Sequence, residues 1–147
     1  MTHPSVLFVC NMNSVRSPMA ALLMSTMVPE GTNIDSAGIY QGWVDPFTRD
    51  VLGERGINIE GFISKQLNNI DPNEFDLVVA MTPEAAGEVR KIVPREKIEF
   101  WPIDNPSTET GGQEAVLAAY RGVRDEIITK IQSRFGDGLT GETGKSL

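Results

Sequence analysis

Cys10 and Arg16 stand six positions apart in the run Val6-Leu7-Phe8-Val9-Cys10-Asn11-Met12-Asn13-Ser14-Val15-Arg16-Ser17-Pro18. The five residues between them are enough to wrap a loop around one tetrahedral anion, with backbone N–H groups turned inward as a nest. Ser17 reads as an N-cap and Pro18 as the first helical residue, so a helix N-terminus also points at the anion. The same positive field that binds an oxyanion favours a thiolate over a thiol at Cys10. A cysteine closing an apolar strand can also be a small core hydrophobe. The reactive reading rests on the whole segment, in which strand, polar loop, Arg, Ser, Pro and helix follow in order.

The elements that must position this loop follow from the apolar periodicity. Strands are expected over Ser5–Val9, Thr32–Ser36, Phe75–Met81 and Lys97–Trp101, and helices over Pro18–Met27, Pro46–Arg55, Pro83–Ile92 and Gly112–Arg134. This alternation favours an α/β fold with a parallel sheet flanked by helices. Met19 to Met24 is apolar on nearly every face, which predicts a buried first helix with methionines as core filler. In the last helix Val116, Leu117, Tyr120, Val123, Ile127, Ile128 and Ile131 form a stripe expected to pack on the sheet. Arg121, Arg124, Asp125, Glu126 and Lys130 read as its solvated face. The glycine-rich segment 136–147 lacks periodicity and reads as a flexible C-terminal tail beside a domain spanning 1–135.

Composition narrows the function. The chain has 147 residues, 40% of them hydrophobic, which suits one domain with a real core. No apolar run is long enough to span a bilayer, and no signal-peptide pattern opens the chain, so a cytoplasmic protein is expected. One cysteine excludes an internal disulfide and any multi-cysteine metal site, and the one histidine, His3, gives no basis for a Cys–His dyad. The net charge of -7 argues against nucleic acid or an anionic membrane as partner. Anion binding must come from local geometry.

Beyond the Cys10–Pro18 loop, the stretches Ser36-Ala37-Gly38, Gly56-Ile57-Asn58-Ile59 with Ser64-Lys65-Gln66-Leu67, and Asp76 to Met81 carry a likeness to a known family. Over about residues 5–135 the chain resembles the low-molecular-weight protein-tyrosine phosphatase superfamily, which includes thioredoxin-coupled arsenate reductases. Trp101 to Pro106 and Tyr120 to Ile127 lean towards the reductase branch. The resemblance implies a three-layer open sheet of four parallel strands with helices on both faces, the phosphotyrosine protein phosphatase I-like architecture. The site would lie at the carboxyl ends of the strands.

The resemblance also implies roles. Cys10 would be the nucleophile and Arg16 the bidentate clamp on the oxyanion. The cradle would comprise Asn11, Met12, Asn13, Ser14, Val15, Arg16 and Ser17, with Ser17 bonded to the thiolate and Asn13 holding the loop from behind. Tyr40 and Trp43, with Phe47, lie where the family builds its substrate wall; they either flank a substrate ring or simply pack. No metal and no cofactor are required. The expected substrate is a phosphorylated protein or small aryl phosphate, hydrolysed through a cysteinyl phosphate, with phosphate, sulfate or arsenate as oxyanion ligands. Two alternatives stand beside it: arsenate reduction by an external thiol, and a weakly active phosphate-binding module.

Three departures bear on the choice. The family's glycine two residues after the nucleophile is Met12, which raises the question of a different backbone there. The further cysteines of relatives fall at Val15, Thr82 and Val89, so no internal thiol relay exists. The leaving-group acid, an Asp immediately before Pro, is Asn105 in Ile103-Asp104-Asn105-Pro106. Asp104 is then the group in this loop able to carry a proton, although a neighbour in extended chain faces the opposite side by default. Asp104-Asn105-Pro106 also reads as the start of a turn.

Overall fold

The computed structural model describes residues 4–136. Apart from Gly136, the tail expected at 136–147 lies outside the described residues. Four strands, β1 (Val6–Cys10), β2 (Ile34–Gly38), β3 (Leu77–Ala80) and β4 (Ile98–Phe100), form one parallel sheet in the order β2-β1-β3-β4. The helices are α1 (Arg16–Ser25), α2 (Pro46–Gly53), α3 (Pro83–Val89) and α4 (Gln113–Phe135). The chain leaves β1 to one side for β2 and returns to its other side for β3. The carboxyl end of β1, where Cys10 stands, is therefore the topological switch point.

Alternation along β1 splits the core into two layers. Val6, Phe8 and Cys10 face a cluster with Met19 and Leu23 of α1, Val51 and Leu52 of α2, and Tyr120 and Ile127 of α4. Leu7 and Val9 face the opposite cluster, with Ala85 and Val89 of α3. All five β1 residues are buried, as a central parallel strand requires. Helix α1 is buried as its composition predicts; its methionines Met19 and Met24 are wholly inside.

The structure revises several expectations. Helix α1 begins at Arg16, because Val15 O already accepts from Met19 N at 3.0 Å. Ser17 is thus a buried first-turn residue rather than the N-cap, and its hydroxyl is free for other work. Strand β2 runs two residues later than expected, which places Gly38 against the Cys10 loop. Helix α4 lays its stripe mainly on α1 and α2, reaching the sheet through Trp101, whose ring stands 6.3 Å from Phe135. Arg124 is not on a solvated face: it is 8% exposed, donating to Val51 O at 2.9 Å and Glu54 Oε1 at 2.7 Å. A buried guanidinium needs such partners, and here it satisfies a carbonyl near the end of α2.

Candidate active site

The loop after β1 is held from outside by its carbonyl groups. Cys10 O accepts from Ile39 N (3.0 Å), Asn11 O from Tyr40 N (2.8 Å), Asn13 O from Ser64 Oγ (2.9 Å) and Ser14 O from Asp45 N (3.1 Å). In a trans peptide the next residue's N–H points opposite to each carbonyl. The N–H groups of Asn11, Met12, Ser14 and Val15 are therefore turned to the inner side of the loop, the arrangement that binds an anion.

The loop's shape depends on Asn13 and two glycines. The positive φ of 50° falls on Asn13, so Met12 needs no glycine-type backbone; its side chain stands at the rim, 43% exposed. A Cβ on Gly38 would lie 2.6 Å from Asn13 N, and one on Gly42 would lie 2.1 Å from Met12 O. Both neighbours are backbone, which cannot yield cheaply. These glycines let the flanking chain close over the loop.

Asn13 is fully buried and its amide is fully used. Its Oδ1 accepts from Lys65 N at 2.8 Å, and its Nδ2 donates to Ser17 Oγ and Ser36 Oγ, each at 2.9 Å. A backbone N–H can only donate, which fixes the orientation of the amide. Ser17 Oγ lies 2.9 Å from Cys10 Sγ. Because Asn13 fills an acceptor site on Ser17, the serine proton is directed to Cys10 Sγ or to Ala37 O, which is further away at 3.4 Å. The arrangement can hold a sulfur anion at the loop floor. Arg16 extends to Ile103 O at 2.9 Å and, among the described residues, makes no ion pair. Its positive charge is left for a ligand.

Around the rim, Asn11 accepts from Thr82 Oγ1 at 2.7 Å and donates to Glu84, which also takes the Tyr40 hydroxyl. The Glu84 hydrogen bond and charge hold the Tyr40 phenol above its ordinary pKa. Trp43 is 77% exposed and borders a groove of about 180 Å³ with Met12, Ser14, Gly42, Asp45 and Pro46. Phe47 is a packing residue, its ring 5.3 Å from Tyr120. Tyr120 donates to Asp45 Oδ2 at 2.7 Å, while Asp45 Oδ1 caps α2 through Phe47 N. Burial and that carboxylate push the Tyr120 phenol well above its ordinary pKa.

Sequence reasoning missed Asp45, Glu84 and Gly42. Asp45 before Pro46 carried a legible helix-start signal, whereas nothing local marks Glu84 or Gly42.

Asp104 is exposed and has no side-chain hydrogen bond among the described residues. Asn105 Oδ1 accepts from Ser107 N at 3.0 Å and Ser107 Oγ at 2.8 Å, capping the short turn Pro106–Thr108. The turn-initiating reading of this segment is the one adopted. Asp104 and Asn105 line a second hollow of about 340 Å³ with Glu109 and Val123. Ile103 O, one residue earlier, is the partner of Arg16, so this loop does reach the site. Among the described residues no cluster of His, Cys, Asp and Glu could hold a metal ion, and no helix is long and apolar enough to cross a membrane.

Comparison with known proteins agrees with this geometry. An arsenate reductase of Bacillus licheniformis is 34% identical over 146 residues, covering 97% of this chain and 100% of that protein. One of Bacillus subtilis is 30% identical, covering 99% and 100%. Among solved structures, an arsenate reductase in the oxidized state superposes with a TM-score of 0.76 at 25% identity, covering 88% of this chain and 94% of the other. The YwlE arginine phosphatase of Geobacillus stearothermophilus gives 0.71 at 26%, covering 92% and 97%. The model of the low molecular weight phosphotyrosine protein phosphatase family matches residues 5–135, and the chain belongs to that family of enzymes.

Proposed function

We propose that the protein is an arsenate reductase that uses an external thiol. The observation carrying this reading is Asn105, an amide where an ester-cleaving relative would have an acid, spent on capping its own turn. A tyrosine leaving group, with a reference pKa near 10, needs a proton donor. Arsenate carries protons on its own oxygens, so its leaving oxygen can depart as water after a proton shift within the substrate. The whole-length likeness to arsenate reductases supports the same choice.

In this reading the Cys10 thiolate attacks arsenic, an S–As bond forms, and an As–O bond breaks with loss of water. Arg16 and the inward N–H groups hold the remaining oxygens. An external thiolate then attacks Cys10 Sγ. The S–As electron pair passes to arsenic, As(V) leaves as As(III) arsenite, and a mixed disulfide remains. A second thiol displaces it, so two thiols become one disulfide per arsenate and the Cys10 thiolate returns. With Cys10 as the one cysteine, both thiols must come from outside.

A second reading is favoured by the exposed Trp43 and its groove, which suit an aromatic leaving group: hydrolysis of phosphotyrosine or another aryl phosphate through a cysteinyl phosphate. Arsenite formation with reduced thiols, run beside aryl phosphate turnover, separates the two. Cys10→Ser is expected to abolish the operative reaction and keep oxyanion binding, and Arg16→Ala to weaken both. Phosphate release without arsenite formation would replace the first reading by the second; oxyanion binding with neither activity would leave a phosphate-binding module.

A further inference from the structure

We infer that the groove between Met12 and Trp43 is the docking site of the thiol co-substrate, and that it selects a small thiol bearing a protonated amine. The inference deepens the reductase reading and rests on it. With one cysteine in the chain, the resolving sulfur must approach Cys10 from solvent past the rim of the loop. The groove adjoins that loop: Met12 and Ser14 belong to the loop itself, and Gly42, Trp43, Asp45 and Pro46 form the other wall. About 180 Å³ suits a small molecule rather than a protein element.

The groove's chemistry is that of a cation site. Trp43 is 77% exposed, and its ring has no aromatic or cationic partner among the described residues. An indole face is the best of the aromatic faces for an ammonium group. Asp45 brings a carboxylate to the same groove. Its Oδ1 and Oδ2 accept from Phe47 N and Tyr120 Oη, which anchor it without supplying a positive charge. A third wall residue, Met12, offers an apolar thioether to the carbon chain of the thiol. The chain's net charge of -7 adds a field that draws in cations and repels anionic thiols. A leaving aryl ring would use Trp43 alone; an aminothiol uses Trp43 and Asp45 together.

The test has one arm independent of turnover. The Trp43 indole N–H NMR signal, assigned with Trp43→Phe, is followed during titration with S-methylcysteamine, an unreactive amine thioether, and with methylthiopropionate, its anionic counterpart. The expected result is a saturable shift with the amine alone, lost in Asp45→Asn. In the second arm, arsenite formation is driven by cysteamine, mercaptoethanol or mercaptopropionate, each rate divided by that thiol's rate with a free aryl disulfide. Cysteamine is expected to lead by about five-fold or more, an advantage removed by Trp43→Ala and Asp45→Asn. Equal shifts with both thioethers, or no shift, would overturn the inference, as would equal normalised rates. A cation-selective shift with no arsenite from any thiol would keep the groove and remove the reductase reading instead.

Discussion

Asn13 Nδ2 and Ser17 Oγ lie 2.9 Å apart in the interior, and that hydrogen bond connects the shape of the oxyanion loop to the sulfur it surrounds. Asn13 holds the loop through Lys65 N, Ser36 and Ser64, and Ser17 in turn faces Cys10 Sγ at 2.9 Å. The two residues predict different defects. Asn13→Ala strands a buried N–H and puts alanine at a φ of 50°, so a stability loss of about 2 to 4 kcal/mol is expected by denaturant unfolding. Ser17→Ala removes the hydroxyl beside sulfur and one of the three partners of the Asn13 amide, without straining the backbone; turnover is expected to fall, with a stability loss clearly smaller than that of Asn13→Ala. Equal loss of stability in both would refute the division of labour.

Gly42→Ala tests the close approach of the flanking chain. The added methyl would overlap Met12 O, so the 40s segment or the loop must move. Oxyanion affinity measured by calorimetry is expected to drop at least ten-fold, while far-UV circular dichroism keeps the parent spectrum. Unchanged affinity would mean that the loop tolerates displacement at Met12.

The acid limb of stability is expected to involve Glu54. Hydrogen bonds from Arg121, then from Arg124, pull its carboxyl from 4.5 to about 2. A group whose folded pKa is depressed contributes fully above its unfolded pKa, and that contribution fades as pH falls from about 4.5 towards 2. Unfolding midpoints of the parent are therefore expected to fall through that window more steeply than those of Glu54→Gln. Parallel curves would show that the Arg121–Glu54–Arg124 cluster contributes no linkage.

Peroxide sensitivity follows from the single cysteine. A sulfenic acid on Cys10 has no second cysteine in the sequence to trap it. Mass spectrometry after peroxide is expected to find sulfinic acid in the absence of added thiol and a recoverable mixed disulfide in its presence. Persistence of the free thiol under peroxide would mean that Cys10 is neither thiolate nor reached by solvent.

Much of the fold could be read because its signals are local. The apolar runs gave four strands and four helices in order, and buried β1 and α1 were visible in composition alone. The oxyanion loop could be read for the same reason, since Cys10 to Arg16 is one short segment. What could not be read depends on distant partners. Ser17 has the chemistry of a cap, but Val15 O closes the first helical turn and frees the hydroxyl for Cys10. Arg124 looks solvated by type and is buried because Val51 O and Glu54 are brought to it across 73 and 70 residues of sequence. Glu84 gives no local sign that it will meet both Asn11 and Tyr40.

The segment before Pro106 supports the final prediction. Asn105 spends its side-chain oxygen on Ser107, and its exposed neighbour Asp104 has no hydrogen bond among the described residues. An aspartate at 105 could cap the same turn and also present a carboxylic acid, so Asn105→Asp is expected to raise turnover of aryl phosphates with poor leaving groups. The ceiling is the roughly 10² to 10⁴ that general acid catalysis supplies. Good leaving groups and arsenate should gain little, because neither depends on an enzyme proton. Asp104→Ala is expected to be nearly silent if position 105 is the one that meets the leaving oxygen. A large loss in Asp104→Ala with no gain in Asn105→Asp would place the acid at Asp104 and shift the working register of the loop by one residue. Leaving-group dependence in the parent then discriminates independently: a steep fall in rate with rising leaving-group pKa belongs to an enzyme without an acid, and a shallow one to Asp104 in that role.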